Sequence, residues 1–258
     1  MFYRVLLVAS LLLSISACNP LKPSANTLYY SAPPSLLLKG EGNHDVPIAQ
    51  TPSSSDLWQR IRNNYSLDSK LDNRRINAHL NWFKSHQKYI NRVSERGERY
   101  LHFIIEQVEA RGIPGELALL PIVESAFDPF AYSHGRASGV WQFIPSTGHM
   151  YGLKQDWWLD GRRDIRLSTM GALKFLQGLA REFKGDWLLA LAAYNSGAGT
   201  VRKAIRKNKH RGKPTDFWSL DLPRETRAYV PKLLALAKLI KAPESFGITL
   251  PAIENKPY

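Results

Sequence analysis

PIVESAFDPF, residues 121–130, places one carboxylate, Glu124, at the end of an apolar run and sets Asp128 directly before a proline. A carboxyl group with apolar neighbours loses hydration, which raises its pKa and lets it hold a proton near neutral pH. A group of this kind is suited to act as a general acid. The stretch therefore predicts a catalytic carboxyl at Glu124, with a solvated glutamate at a helix end as the alternative interpretation.

An acid of this type in an exported enzyme is commonly used to protonate a glycosidic oxygen, and a second carboxylate ordinarily serves as nucleophile or base. Asp128 lies four residues further on. Because it precedes Pro129, its position is biased away from helix. We therefore expect Asp128 to cap or end the segment rather than to face the same cleft.

The segments on both sides of this stretch show helical periodicity. Apolar residues recur every three or four positions in two early segments, which predict two helices with a common core: Ile76, Leu80 and Phe83, and Tyr100, Ile104 and Val108. Residues 117–126 are predicted to form a short helix that is kinked at Pro121. Residues 140–153 are predicted to form a brief helix, a break at Pro145 and another turn.

The second half of the chain carries the strongest helical patterns. Residues 167–183 are amphipathic, and residues 187–194 are apolar nearly all round, which predicts a buried central helix. Another helix is predicted from Pro223, with Pro231 inside it, and residues beyond Pro243 are expected to form a loose tail. No alternating run is persuasive enough for a major sheet. The sequence therefore predicts a mainly α fold.

The amino terminus has the pattern of an export signal. Residues 1–18, MFYRVLLVASLLLSISAC, contain one basic residue and then an apolar run too short to span a bilayer. The ending ISAC resembles the lipobox of bacterial lipoproteins, which implies cleavage before Cys18 and lipid attachment to it. By the sorting pattern of such lipoproteins, Asn19 implies the periplasmic face of the outer membrane. The alternatives are a buried core helix for the apolar run and a free structural cysteine at Cys18.

Composition and charge limit the classes of partner. The 258 residues are 44% hydrophobic, enough for a sizeable core, and the formal net charge is +13. Nucleic acid, the usual partner of a basic chain, is not expected for a lipoprotein, whereas a wall polymer bearing peptide carboxylates would be attracted. A basic surface that only keeps the protein soluble is an equally good interpretation, so the charge alone does not decide the partner. Residues 18–55 are rich in proline and serine and are expected to form a flexible tether.

Four separate motifs carry a resemblance to a known family: ES at 124–125, SGVWQFIPSTG at 138–148, AAYNSGAG at 192–199 and ETRAYV at 225–230. In this order and spacing they resemble the family 1 lytic transglycosylases, which have an SLT domain related in fold to goose-type lysozyme. The similarity runs from about residue 101 to residue 250. It implies a lysozyme-like helical domain at 101–242, with a helical extension at 56–100 before it and a tail at 243–258.

The resemblance also implies a reaction on peptidoglycan glycan strands. The β-1,4 bond between N-acetylmuramic acid and N-acetylglucosamine would be cleaved without water, giving 1,6-anhydro ends. Glu124 would act first as acid and then as base, and the nucleophile would be the C6 hydroxyl of the muramic sugar. This explains why the stretch offers no second catalytic carboxylate. A goose-type lysozyme-like hydrolase and a non-catalytic wall-binding lipoprotein are the alternatives.

Matching by position assigns expected roles to six further residues. Ser133 would contact the sugar, and Gln142 and Ile144 would line the cleft. Tyr194 and Asn195 would orient the acid and the muramic ring, and Tyr229 would close the site. Four of them have an ordinary alternative: a loop turn for Ser133, a helix surface for Gln142 and core packing for Tyr194 and Tyr229.

Tryptophans are the remaining candidates for sugar contact. Several could stack on sugar faces, and Trp141 is the preferred one, ahead of Trp157, Trp158, Trp187 and Trp218. The motifs contain no Cys or His cluster with metal spacing, so neither a metal nor a cofactor is expected. Relatives of the type resembled here commonly carry wall-binding repeats after the catalytic domain, and this sequence shows none. The protein is expected to be a monomer.

Overall fold

The computed structural model describes residues 55–67 and 72–258, so the expected signal peptide, nearly all of the expected tether and Cys18 lie outside the described residues. The described part contains nine α-helices: α1 (Leu57–Asn63), α2 (Arg74–Lys84), α3 (Gln87–Glu109), α4 (Leu120–Ser125), α5 (Pro145–Met150), α6 (Ile165–Glu182), α7 (Trp187–Ser196), α8 (Ala198–His210) and α9 (Arg224–Lys241). Short 3₁₀ helices span Gly115–Leu119, Phe217–Ser219 and Pro243–Phe246.

The predicted mainly α class is confirmed for this part of the chain, where backbone pairing between extended segments is limited to isolated bridges. Side chains that directly precede several helices accept hydrogen bonds from backbone N–H groups that have no partner within the helix. The carboxylates of Asp164 and Asp186 accept from Leu167 N at 2.8 Å and from Leu189 N at 3.0 Å, and so begin α6 and α7. Within residues 55–67 and 72–258, no helix has the length and apolar character needed to cross a bilayer.

Helix α7 is the centre of the core, as its apolar sequence predicted. Its residues 189–193 are buried, and it packs against α6, α8 and α9. Helix α9 is also largely buried and carries Pro231 inside it, as predicted. Along its length α9 packs on α2, so the segment before residue 101 joins the same core. This arrangement places one face of α9 opposite the end of α4.

Two prolines begin helices instead of breaking them, which corrects the sequence prediction. Pro121 lies in the first turn of α4, directly after the 3₁₀ turn Gly115–Leu119, and does not kink a continuous helix. Pro145 is the first residue of α5, and the residues before it form turns rather than a brief helix. Proline is tolerated in a first turn because the backbone donor that it lacks has no helical partner there.

The expectation of a loose tail after Pro243 is wrong. Ile248 and Ile253 are each 3% exposed. The backbone of Leu57 donates to Ile253 O at 2.8 Å, and the indole of Trp58 donates to Pro251 O at 2.8 Å. The tail is therefore packed against α1, and its apolar residues, spaced too far apart for a helical pattern, fill the core from an extended backbone.

Candidate active site

An open cavity of about 660 Å³ lies between the end of α4, the loop after it, α7 and α9. Every site residue predicted within the described part of the chain lines this cavity: Glu124, Ser133, Gln142, Ile144, Tyr194, Asn195 and Tyr229. These residues come from four separate segments of the chain. The fold thus brings the motifs to one place, although their individual roles stay predictions.

Glu124 lies in the last turn of α4, where the helix ends because Ala126 adopts a left-handed conformation (φ 53°). Ser125 ties this turn to the following loop, since its hydroxyl donates to Val140 O at 3.1 Å. The surrounding apolar side chains remove water from the carboxyl group. This desolvation raises the pKa of Glu124 from 4.5 to about 7, in the direction that the sequence predicted.

Two groups on α9 limit that rise. The hydroxyl of Tyr229 donates a short hydrogen bond to Glu124 Oε1, which lowers the pKa of Glu124, and the Lys232 ammonium lowers it further. Glu225, by its negative charge, raises it. Lys232 also donates to Val123 O at 3.2 Å, so it fixes the backbone next to the acid. Together these effects leave the pKa of Glu124 at about 7.

The two site tyrosines make different contacts. The hydroxyl of Tyr194 donates to Trp141 O at 2.8 Å and has no hydrogen bond to the acid. Tyr229 is the residue that contacts Glu124, although the motif comparison implied that the Tyr194 and Asn195 pair orients the acid. Burial raises the pKa of both tyrosines well above 10, and the negative charge of Glu124 raises both further, so both act as neutral hydrogen-bond donors.

Asn195 belongs to a polar network with the start of α9. Its Oδ1 accepts from Thr226 Oγ1 at 2.8 Å, and its Nδ2 donates to Glu225 Oε1 at 3.3 Å. Thr226 is 1% exposed, so this bond is shielded from water. The contacts orient the amide of Asn195 and hold the first turn of α9 against the end of α7.

The loop between α4 and α5 supplies the opposite wall of the cavity. Gln142 has a positive φ of 49°, and its amide donates to Gly139 O at 2.8 Å and Ala131 O at 3.2 Å. Ser133 Oγ accepts from Ala137 N at 3.0 Å, so the serine stabilises a turn as well as lining the cavity. Ile144 is 45% exposed and offers an apolar surface to a ligand.

Two other candidates lie outside the cavity wall. Asp128 caps a turn, accepting from Phe130 N at 2.9 Å, as its position before a proline predicted. The preference for Trp141 as a sugar-stacking residue is wrong, because its side chain is 0% exposed and its indole donates to Thr169 Oγ1 at 2.9 Å. An apolar neighbourhood in the sequence does not distinguish a ring in a cleft from a ring in the core.

Sequence reasoning missed Glu225 and Lys232, which also line the cavity. Helical spacing could have found them, because residues 225, 229 and 232 are separated by four and three positions and so share one face of α9 with Tyr229. Glu225 gives the cavity a second carboxylate. It is exposed and accepts from Asn195, whereas Glu124 is half-buried.

Replacing Tyr229 with phenylalanine is expected to raise the pKa of Glu124 above its value of about 7. The lost hydrogen bond favours the charged carboxylate, and bonds to charged groups contribute about 1.5–3 kcal/mol, so a rise of about one to two pH units is expected. Carbon-13 NMR titration of labelled glutamate carboxyls measures this midpoint, with the Glu124 signal identified by its absence in Glu124→Gln.

Tyr194→Phe is the matched control for that titration. It removes a hydroxyl from the same cavity, but this hydroxyl donates to Trp141 O and not to the acid. We expect the Glu124 midpoint to stay near its original value in this variant. An unchanged or lowered midpoint in Tyr229→Phe would show that the phenol does not stabilise the carboxylate.

Comparison with known proteins gives one family-model match and several similar proteins. The family model described as "Transglycosylase SLT domain" matches residues 102–217. Membrane-bound lytic murein transglycosylase D of Escherichia coli (strain K12) is 50% identical over 200 residues, which are 78% of this chain and 44% of that protein. A protein of Alteromonas sp. (strain M-1) named for tributyltin chloride resistance is 40% identical over 164 residues, 64% of this chain and 77% of that protein.

A solved structure also matches. It is the 70 kDa soluble lytic transglycosylase of Escherichia coli, with a TM-score of 0.45 and 21% identity, over 64% of this chain and 30% of that chain. The present chain spans less than half the length of the curated transglycosylase D that it matches.

Proposed function

Because this chain belongs to the SLT-domain family of lytic transglycosylases, we propose that it cleaves the β-1,4 bond between N-acetylmuramic acid and N-acetylglucosamine in peptidoglycan without water. The product would carry a 1,6-anhydro ring on the muramic sugar. The observation that carries this proposal is the shielded carboxyl of Glu124, whose pKa is raised to about 7 in a cavity formed by all four family motifs.

In the first step protonated Glu124 gives its proton to the glycosidic oxygen, and the bond from that oxygen to the anomeric carbon of the muramic sugar breaks. The leaving chain departs with a free hydroxyl. A pKa of about 7 supplies a large protonated fraction at neutral pH, which a solvated glutamate would not. The apolar surroundings of Glu124 thus serve the acid step.

In the second step the carboxylate of Glu124 accepts the proton of the muramic C6 hydroxyl while its oxygen bonds to the anomeric carbon. The ring closes and Glu124 returns to its protonated form, so atoms and charge balance. The Tyr229 hydroxyl and the Lys232 ammonium stabilise the carboxylate that exists between the two steps. Gln142, Tyr194 and Asn195 would hold the sugars, with Ser133 and Ile144 on the opposite wall.

Glu225 supports a second candidate, a hydrolase of the goose-type lysozyme kind. A second carboxylate in the same cavity could activate water on the far side of the sugar ring. The family membership and the hydrogen bond from Asn195, which occupies Glu225 Oε1, support the water-free reaction instead.

Mass analysis of muropeptides released from purified wall sacculi distinguishes the two reactions. The transglycosylase produces anhydro-muramic ends, which are lighter by one water than the reducing ends of a hydrolase. Predominantly reducing ends, lost in Glu225→Gln, would reject the transglycosylase proposal. Release of no fragments by the unmodified full chain would favour a wall-binding lipoprotein without catalysis.

The site of action follows from the amino-terminal sequence. Lipid attachment at Cys18, followed by a tether up to residue 55, would hold the catalytic segment at the periplasmic face of the outer membrane. The E. coli relative is named as membrane-bound, which supports association with a membrane. Metabolic labelling with a fatty-acid analogue tests this, since Cys18→Ala should abolish incorporation.

We also propose that the protein acts as a monomer, with the catalytic domain at residues 101–242.

A further inference from the structure

Two adjacent indoles stand out on the surface away from the cavity of Glu124. Trp157 is 81% exposed and Trp158 is 79% exposed, and their ring centroids lie 3.6 Å apart at an interplanar angle of 35°. Leu159 beside them is 47% exposed. Large apolar side chains that lie together in water commonly mark an interaction site. The site described above uses neither ring.

The loop that carries these rings is held by its own hydrogen bonds. Asp156 Oδ1 accepts from Trp158 N at 2.9 Å and from Leu159 N at 2.8 Å. The backbone of Asp156 donates to Leu159 O at 2.9 Å, and Gly161 donates to Lys154 O at 2.8 Å. The indoles are therefore presented on an ordered turn, so that less conformational entropy is lost when a ligand binds.

Charged groups surround the aromatic pair. The two rings line a shallow depression together with Asp156, Asp160, Arg163 and Asp164. The Arg163 side chain is 44% exposed and retains donors beyond its bond to Ser138 Oγ. An aromatic surface with nearby carboxylates and a guanidinium suits a ligand with one apolar face and many hydroxyl and amide groups at its edge.

The depression is connected to the wall of the catalytic cavity. Arg162, next to Arg163, donates to Phe143 O at 3.1 Å and to Arg136 O at 2.7 Å. Gln155 donates to Pro145 O at 3.0 Å. Phe143 lines the cavity, so the loop bearing the indoles is hydrogen-bonded to the same stretch of backbone. The loop that bears the indoles is thereby held in a fixed position relative to the cavity wall.

We propose that Trp157 and Trp158 form a second glycan-binding site that holds the hexosamine strand of the wall outside the cavity of Glu124. The substrate class rests on the proposed function. The apolar C–H faces of the pyranose rings would pack on the indoles, and Arg163 with the surrounding carboxylates would bind hydroxyl and acetamido groups. Asp160 is paired with Arg162 at 2.7 Å, and the remaining carboxylates beside the pair, Asp156 and Asp164, disfavour an anionic membrane surface as the occupant.

Co-sedimentation with insoluble sacculi tests the site. Full-length Glu124→Gln is the parent, so that the wall is not cut during the measurement, and Trp157→Ala with Trp158→Ala is added to it. Two stacking surfaces are removed, so binding about tenfold weaker, equivalent to about 1.4 kcal/mol, is expected for the double change. Trp82→Ala in the same parent is the matched control, because Trp82 is a 44% exposed tryptophan on α2, outside the cavity and the depression.

Unchanged binding of the double variant to sacculi would overturn the proposal, as would an equal loss in the Trp82→Ala control. Weakened binding to vesicles containing anionic phospholipid, with wall binding retained, would assign the indoles to a membrane instead. A far-ultraviolet circular dichroism spectrum and melting temperature matching the parent confirm folding, and Trp158→Ala alone provides a milder variant. Because the parent is inactive, this result does not depend on whether the reaction gives anhydro or reducing ends.

Discussion

Glu124→Gln is expected to lower the release of muropeptides from sacculi by about 10²- to 10⁴-fold or more, the usual contribution of a positioned general acid. The amide keeps the shape of the side chain and can still contact Tyr229, but it can neither give nor accept the proton in the two steps. The rate of fragment release at pH 7, followed by chromatography, measures the effect.

Asp128→Asn is the control, because it changes the other carboxylate of the same stretch. Asp128 caps a turn and lies outside the cavity wall, so activity should stay within a few-fold of the unmodified protein. If Glu124→Gln and Asp128→Asn cleared the wall equally well, the assignment of the acid would be wrong.

Glu124→Gln should also stabilise the fold at neutral to alkaline pH. The pKa of Glu124 is about 7 when folded against an ordinary 4.5, so the folded state holds this proton more tightly than the unfolded chain. The stabilisation that this group contributes to the folded state is therefore complete below about pH 4.5. It is lost as the pH rises through 7, and the loss is roughly 1.4 kcal/mol for each unit by which the folded and unfolded pKa values differ. The melting temperature of Glu124→Gln should exceed that of the unmodified protein at pH 8 and approach it at pH 4.5. A lower melting temperature at pH 8 would contradict a desolvated carboxyl.

Gly139→Ala is expected to cost at least about 4 kcal/mol of unfolding free energy, or to rearrange the cavity loop. Gly139 has a φ of 80°, and an added Cβ would lie 2.0 Å from Arg162 O, which is backbone and has little freedom to move. Gly139 O also accepts the amide of Gln142 at 2.8 Å, so displacement would move a wall of the cavity. Denaturant unfolding and fragment release measure the two consequences.

Substitutions at two other glycines distinguish the effect of the steric clash from the effect of the positive φ. Gly152 has a φ of 81° with nothing within 4 Å of an added Cβ, so Gly152→Ala should cost only about 1–2 kcal/mol. At Gly135, which lacks a positive φ, the nearest atom would be 3.7 Å away, and alanine should be nearly neutral. Equal losses at Gly139 and Gly152 would show that the contact with Arg162 O is not decisive.

The helical core was largely predictable because its periodicity is local. The helices at 165–182, 187–196 and 224–241 agree with the predicted segments to within about two residues. The family resemblance was likewise confirmed by the match over residues 102–217. The prolines at 121 and 145 were misjudged, because the same residue begins a helix or breaks one depending on where the preceding segment ends.

The contacts of the site could be predicted only in part. An apolar neighbourhood around Glu124 indicated a raised pKa, and the structure agrees. The partner of the acid could not be derived from spacing, because Tyr229 and Glu124 are 105 positions apart and meet only through packing of α9. Trp141 was misassigned for the same reason, since burial is a property of the assembled core.

The bond between Tyr229 and Glu124 also relates completion of the site to the docking of α9. A growing polypeptide that has not yet reached Arg224 already contains the acid but lacks the phenol, the ammonium of Lys232 and the helix that bears them. Such a fragment can form the α4 turn but not the environment that sets its proton affinity. Under the proposed function, the site would therefore become competent only after α9 has docked against α4.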